Sequence, residues 1–301
     1  MMKYHVPVLL NESVNGLSIK PEGTYVDLTF GGGGHSNLIL DKLNVKGKLF
    51  SFDKDDSAIK ENNLKNINFQ LIKSDFKFFD LHIRDRGIEK VDGILADLGV
   101  SSHQIDNKKR GFSYLGNGVL DMRMSTDSEL SAEEVLNNYD QDRLQNIFFN
   151  YGDIKNSKII AQEIISYRNK KRIKDNEDLL MAIKGISEKK LSYKFLSKLY
   201  QAIRIEVNDE ISSLREMLKK SVNFLKKSGR LVIISYHSIE DRLVKNFINK
   251  SSFNSDFKKD LYGKKIEFFK KINKKPIVPS REEIAFNSRS RSAKLRIGER
   301  I

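Results

Sequence analysis

Short apolar runs and amphipathic stretches alternate through the first hundred residues. Apolar segments at Thr24 to Phe30, Lys48 to Phe52, Phe69 to Ile72 and Val91 to Leu98 are separated by helical patterns. This alternation predicts a parallel sheet with helices on both faces, in which ligands gather at the carboxyl ends of the strands. After about residue 125 the pattern changes. Amphipathic segments follow one another without a strand signal until Leu231-Val232-Ile233-Ile234, which predicts an all-helical insertion. Ser131 with Glu134 predicts a capping box, Gly152 and Gly185 mark helix ends, and residues 201–227 predict one long helix closed by Gly229. Lys265 to Ile272 and Ala293 to Ile297 predict a closing antiparallel pair. The expected organisation is a doubly wound α/β domain, residues 1–110 and 205–301, interrupted by a helical insertion at 111–204.

The run Asp27-Leu28-Thr29-Phe30-Gly31-Gly32-Gly33-Gly34-His35 joins the first strand to an amphipathic segment. Glycines without side chains let the backbone turn sharply and approach a bound molecule. A flexible linker needs polar flanks, whereas this run has apolar ones. Asp53 ends the second strand 20 residues past Gly33, the distance at which an acid grips ribose hydroxyls in dinucleotide-binding units. An adenosine-bearing cofactor is expected, and the spacing does not separate a nicotinamide cofactor from S-adenosylmethionine. The fourth strand ends Asp97-Leu98-Gly99-Val100-Ser101-Ser102, an acid followed by small polar residues. No hydride-handling group stands there, which favours methyl transfer.

Composition narrows the picture further. The chain has 301 residues, 39% of them hydrophobic, enough to bury a large core. No stretch approaches the roughly 20 apolar residues of a membrane span, and the start lacks a signal-peptide core, so a cytoplasmic protein is expected. Cysteine is absent, which excludes disulfides, thiolate metal sites and a cysteine nucleophile. His5, His35, His82, His103 and His237 show no paired helical spacing, so no transition-metal site is expected. The net charge is +14, and residues 251–301 hold fourteen Lys/Arg against six Asp/Glu. A polyanionic partner follows from that surplus, because each neutralised phosphate releases counterions.

These motifs recur in the order found in the MraW family of ribosomal small-subunit RNA methyltransferases, which the chain resembles from near residue 5 to its end. The matching segments include His5-Val6-Pro7-Val8-Leu9-Leu10, Thr29 to Ser36, Asp97 to Ser102, Arg110-Gly111-Phe112-Ser113 and Leu120-Asp121-Met122-Arg123-Met124. They continue through Gln201 to Ile205, Val207-Asn208-Asp209-Glu210, His237 to Arg242 and Arg291 to Arg296. The resemblance implies a class I, Rossmann-like methyltransferase that uses S-adenosylmethionine to methylate the exocyclic N4 of a cytidine in the decoding region of small-subunit ribosomal RNA. It assigns cofactor contacts to Gly33, Gly34, His35, Asp53, Phe76, Asp97 and Gln104. Leu28, where glycine is usual, and His103, where proline is usual, depart from the pattern beside these loops.

Methylation at C5 of cytosine normally proceeds through a cysteine adduct, and that route is closed here. Transfer to the amino nitrogen needs only an in-line approach and hydrogen-bond acceptors for the amino group. Asp97, Ser101 and His237 are the catalytic candidates; Ser238 with Asp241 suggests a helix cap beside the last of them. A flipped base would need a pocket, for which Phe112, Asp121, Arg123, Tyr236 and His237 are candidates, Asp121 and Arg123 also being able to form an ion pair. Arg168, Lys171 and Arg172 in the insertion, with Arg289, Arg291 and Arg296 near the end, are candidate phosphate contacts. Two rivals remain at this point. A nicotinamide-dependent dehydrogenase is disfavoured by Ser36 at the third fingerprint glycine, and a non-catalytic assembly factor is disfavoured by the intact glycine loop.

Overall fold

The computed structural model describes residues 7–185, 192–254 and 256–301; His5 and Val6 of the first motif lie outside them. Seven strands form one sheet: β1 (Thr24–Asp27), β2 (Lys48–Asp53), β3 (Phe69–Lys73), β4 (Val91–Asp97), β5 (Leu225–Ser235), β6 (Phe269–Lys271) and β7 (Lys294–Arg300). Their order is β3-β2-β1-β4-β5-β7-β6. The first five run parallel, β7 is antiparallel to β5, and β6 is antiparallel to β7. Strand order reverses between β1 and β4, so the crevice for a ligand opens at their carboxyl ends. The first six residues of β4 and the last five of β5 are buried without a break. Strands covered on both faces read as continuous apolar runs, which is why the sequence exposed them.

The helices of the first part are α1 (Leu10–Gly16), α2 (Gly34–Leu40), α3 (Asp56–Lys60), α4 (Phe79–Asp85) and α5 (Ser102–Asp106). They continue with α6 (Ala132–Asn138), α7 (Gln141–Gly152), α8 (Ser157–Arg168), α9 (Asn176–Ala182), α10 (Tyr193–Asn208), α11 (Glu210–Phe224), α12 (Ser238–Lys250) and α13 (Arg281–Phe286). The chain divides into two compact units, Met1–Gly99 with Ile211–Ile301, which carries the sheet, and Val100–Glu210, which is helical. The chain therefore leaves the sheet unit at Gly99 and re-enters it at Ile211, against the 110 and 204 read from the sequence. The sheet unit is built around Val14, Tyr25, Ile39, Leu49, Leu95 and Val232, and the helical unit around Leu136, Phe148, Ile160, Leu199 and Ile203.

Three expected elements differ. The long helix over 201–227 is two helices, α10 and α11, broken at Asp209 with φ 48°. The break follows from Asn208, whose Oδ1 accepts from Met124 N at 2.7 Å and whose Nδ2 donates to the Met122 carbonyl at 2.7 Å. β5 begins at Leu225 instead of after Gly229: Leu225 pairs with Val91 and Arg230 with Gly93, so residues 226–229 bulge outward with Ser228 at φ 64°. β6 is confined to Phe269–Lys271, shorter than the expected 265–272. The capping box of Ser131 and Glu134 is present at α6.

Candidate functional site

The glycine loop is pinned at both sides to the sheet. Leu28 N donates to the Leu95 carbonyl and Phe30 N to the Phe52 carbonyl, each at 2.8 Å. Leu28 is 1% exposed, so the leucine that departs from the family pattern is a core residue. Gly31 (φ 51°) and Gly33 (φ 77°) occupy the left-handed region that glycine enters without strain. A Cβ on Gly33 would collide with the Phe30 ring at 2.7 Å, and one on Gly34 would collide with Pro7. A Cβ on Gly31 or Gly32 meets nothing within 4 Å, so the loop leaves open space on its outer side. Gly32→Leu, at an exposed position, should leave stability within about 0.5 kcal/mol of the parent. If that space is the cofactor's, calorimetric titration of the variant will show affinity for S-adenosylhomocysteine lowered at least about tenfold, roughly 1.4 kcal/mol.

Three acids converge at the carboxyl ends of β1, β2 and β4. Asp27 is fully buried, accepts from Ser36 Oγ at 2.6 Å and Thr29 N at 3.2 Å, and belongs to a buried chain in which Ser36 Oγ meets Ser51 Oγ at 2.7 Å. Burial raises its pKa to about 7. Asp53 accepts from Gly31 N at 2.8 Å and Asp55 N at 2.9 Å, tying the end of β2 to the glycine loop. Burial raises its pKa as well, against those two hydrogen bonds. Asp97 accepts from Tyr236 Oη at 2.8 Å, and its backbone N donates to Thr29 Oγ1 at 2.7 Å. Its pKa rises to about 7 through burial, opposed by the Tyr236 bond and reinforced by the charge of Asp27. Burial and Asp97 together lift Tyr236 far above its ordinary value, so it stays a hydrogen-bond donor. Carboxylates held up in this way are poised for a cationic ligand, which favours their ionised form.

His35, at the start of α2, is 5% exposed; it hydrogen-bonds the Val8 backbone, and its Nε2 is buried without a partner among the described residues. Burial lowers its pKa to about 4, so the ring is neutral. Phe76 opens a 3-10 turn after β3 and is half-buried at the same edge of the sheet. His237 is the N-cap of α12, where Ser238 was expected to stand. Its Nδ1 faces Glu240 N at 3.4 Å, while Glu240, 3% exposed, accepts from Tyr236 N at 2.9 Å and His237 N at 3.3 Å. His237 Nε2 lies 3.1 Å from Glu240 Oε1 without the alignment of a hydrogen bond. The capping box thus orients the segment that carries Tyr236 to Asp97. Tyr236 was only one of several candidates in the sequence, and Asp27 and Thr29 carried no signal beyond their place in the glycine motif.

In the helical unit, Ser101 and Gln104 form the capping box of α5: Gln104 N donates to Ser101 Oγ at 3.2 Å and Ser101 N to Gln104 Oε1 at 3.0 Å. Gln104 is 5% exposed, and His103 is exposed on the same helix. Asp121 and Arg123 form the ion pair that the sequence left open, Nε to Oδ1 at 2.8 Å and Nη2 to Oδ2 at 3.0 Å, and Arg123 also donates to the Ser128 carbonyl at 2.7 Å. Phe112 is half-buried against the helical core, with the Arg110 guanidinium 5.8 Å from its ring.

The basic candidates are largely engaged inside their own units. Arg168 donates to the Leu136 carbonyl at 2.8 Å, Lys171 pairs with Asp178 at 2.6 Å and Arg172 with Glu133 at 2.7 Å. Arg296 makes a two-pronged contact with Asp241 at 2.6 and 3.2 Å. Arg289 and Arg291 stand at exposed positions of the 3-10 turn Ser288–Ser292. No helix among the described residues is long and apolar enough to cross a membrane.

The family model described as the MraW methylase family matches residues 2–301. A ribosomal RNA small subunit methyltransferase H from Flavobacterium johnsoniae is 49% identical over 300 residues, covering 100% of this chain and 99% of that protein. One from Karelsulcia muelleri is 46% identical over 300 residues with the same coverage. The crystal structure of an rRNA methylase from Streptococcus thermophilus superposes with a TM-score of 0.44 at 12% identity, covering 99% of each chain, a likeness that decides nothing about this site.

Proposed function

The chain belongs to the MraW methylase family and is an S-adenosylmethionine-dependent methyltransferase of small-subunit ribosomal RNA, and we propose that its acceptor is the exocyclic N4 of a cytidine in the decoding region. One observation supports this reading above the others. The open side of Gly31 and Gly32 lies on the loop that Asp53 ties to β2, and Asp97 ends the neighbouring β4 with its side chain held by Tyr236. A cofactor with a ribose, a primary ammonium and a sulfonium fits that set, since the acids suit hydroxyl and cationic groups and the glycines leave room. In the sheet unit Gly33, Gly34, His35, Asp53, Phe76 and Asp97 would hold it. Bound there, the cofactor supplies an electrophilic methyl group.

Asp97 carries the proposed chemistry. Tyr236 occupies Oδ1, and Oδ2 forms no hydrogen bond among the described residues, so that oxygen is open to an amino group. An acceptor at the amino hydrogens localises the nitrogen lone pair for attack, and the fixed Tyr236 and Thr29 contacts position it in advance. No thiolate exists in the chain to open the C5 route. A ribosomal RNA substrate supports a cytoplasmic location under this reading.

The raised acids give a pH prediction. Below about pH 7 Asp97 and Asp27 hold protons in the free protein, and a cationic cofactor favours the carboxylates, so its binding should release protons there. Titration calorimetry at pH 6 in buffers of different ionisation enthalpy should show up to about one proton released per acid, falling away at pH 8.5. The position of the methyl group is tested with RNA carrying tritium at C5 of cytidine. Transfer to N4 retains the tritium as methylation proceeds; release of one tritium per methyl would place the chemistry at C5 and overturn the proposal.

A further inference from the structure

Between α12 and β6 the chain doubles back into a short hairpin. Lys259 and Lys265 face each other in an antiparallel bridge. Asp260 Oδ1 accepts from Tyr262 N and Lys264 N, each at 2.9 Å, and Gly263 turns the chain at φ 79°. The base is anchored: Lys258 N donates to the Lys250 carbonyl at 3.0 Å and Phe268 N to Ser251 Oγ at 2.7 Å. Behind it the Phe247 ring stacks on Phe253 at 5.0 Å and lies 6.0 Å from Phe268. This is a shaped projection on an aromatic footing.

Its tip has no internal use. Leu261 is 100% and Tyr262 94% exposed. Residues 258–266 hold four lysines and one acid, Asp260, whose carboxylate the turn already occupies. Lys265 stands 4.3 Å from the Phe257 ring and Lys258 4.9 Å from the Phe268 ring, which fixes where those charges sit, and none of the four lysines forms an ion pair among the described residues. Like charges directly opposite across a strand pair are destabilising, so the Lys259–Lys265 pairing is a strain that a polyanion relieves. Lysines on an edge strand such as β6 guard against aggregation, but these four lie outside the sheet. Clustered positive charge beside a projecting aromatic is the combination that grips unpaired nucleic acid.

We propose that residues 258–266 form an RNA-gripping finger, in which the lysines bind backbone phosphates and Tyr262 stacks on an unpaired base of the substrate RNA. This rests on the ribosomal-RNA reading above. The test is binding of bare small-subunit ribosomal RNA across a salt series by the full chain, by Tyr262→Ala, and by a variant with Lys258, Lys259, Lys264 and Lys265 all changed to Gln. All five positions are exposed, so circular dichroism and S-adenosylhomocysteine affinity should match the parent. The lysine variant should lower the slope of log affinity against log salt by about 3, four contacts at roughly 0.7 each. Tyr262→Ala should weaken binding by about 5- to 150-fold with the slope unchanged, the range for losing one stacked base. Parental affinity and slope in both variants would overturn the finger while leaving methyl transfer untouched. Weakened binding to assembled particles but not to bare RNA would overturn it in favour of a ribosomal protein. Finger-dependent RNA binding by a parent protein that methylates nothing would retain the finger and remove the reading on which its substrate rests.

Discussion

Asp97→Asn should lower methyl transfer by about 10²- to 10³-fold, the usual consequence of removing one preorganised polar group from a transition state, while making the free protein more stable at neutral pH. The two effects have one cause. Burial raises the Asp97 pKa from 3.8 to about 7, so the folded chain holds that proton more tightly than the unfolded chain does. A raised carboxyl pKa means that stability falls as pH climbs from about 4 to about 7. Asparagine has the shape of the protonated acid and keeps an oxygen for Tyr236. Its advantage should therefore be absent at pH 4 and reach an upper limit of about 4 kcal/mol at pH 8, at roughly 1.4 kcal/mol per pK unit. Chemical denaturation at the two pH values, beside single-turnover methylation, measures both halves. Equal stability of variant and parent at pH 8 would mean that the carboxylate is not strained in the free protein.

The largest structural effect is expected at Gly111. It sits at φ 71°, and a Cβ there would collide with the Val119 carbonyl oxygen and stand 2.8 Å from Asp121 N. Both obstacles are backbone. The segment is further tied by Met122 N to the Arg110 carbonyl at 2.9 Å and by Arg110 Nη2 to the carbonyls of Arg123 and Met124 at 2.9 and 3.0 Å. Gly111→Ala should cost about 3–4 kcal/mol, combining left-handed strain with displaced backbone. Gly116→Ala is the control: its φ is 81°, but the nearest obstacle is the flexible end of Lys108 at 3.4 Å, so only about 1 kcal/mol should be lost. Equal losses at the two positions in urea denaturation would show that the Val119 contact does not govern.

The parallel strands were readable because the central part of β4 and the end of β5 are buried on both faces and so present the apolar runs Ile94-Leu95-Ala96 and Leu231-Val232-Ile233-Ile234. Gly31 to Gly34 and Asp53 were readable because their meaning is local: a turn, a close approach, a strand end. The break at Asp209 was not, because it depends on Asn208 reaching residues more than 80 positions away. Nor was the bond from Tyr236 to Asp97, which spans 139 residues. The segment Arg110 to Met124 was singled out for its resemblance and offered for RNA contact. Its residues are bonded to one another and to Asn176, Asn208 and Ser128 elsewhere in the helical unit, so part of what distinguishes them is architecture. The same holds for Lys171, Arg172 and Arg296, whose charges a sequence displays without their carboxylate partners.

The reaction expected of this protein is methyl transfer to the amino nitrogen of a cytidine in small-subunit ribosomal RNA. It is tested most directly by incubating the purified protein and labelled S-adenosylmethionine with unmodified small-subunit particles and with the bare RNA, then identifying the labelled nucleoside by mass spectrometry. The expected product is N4-methylcytidine, formed far more slowly by Asp97→Asn. Label in 5-methylcytidine, or in no nucleoside from either substrate, would contradict it.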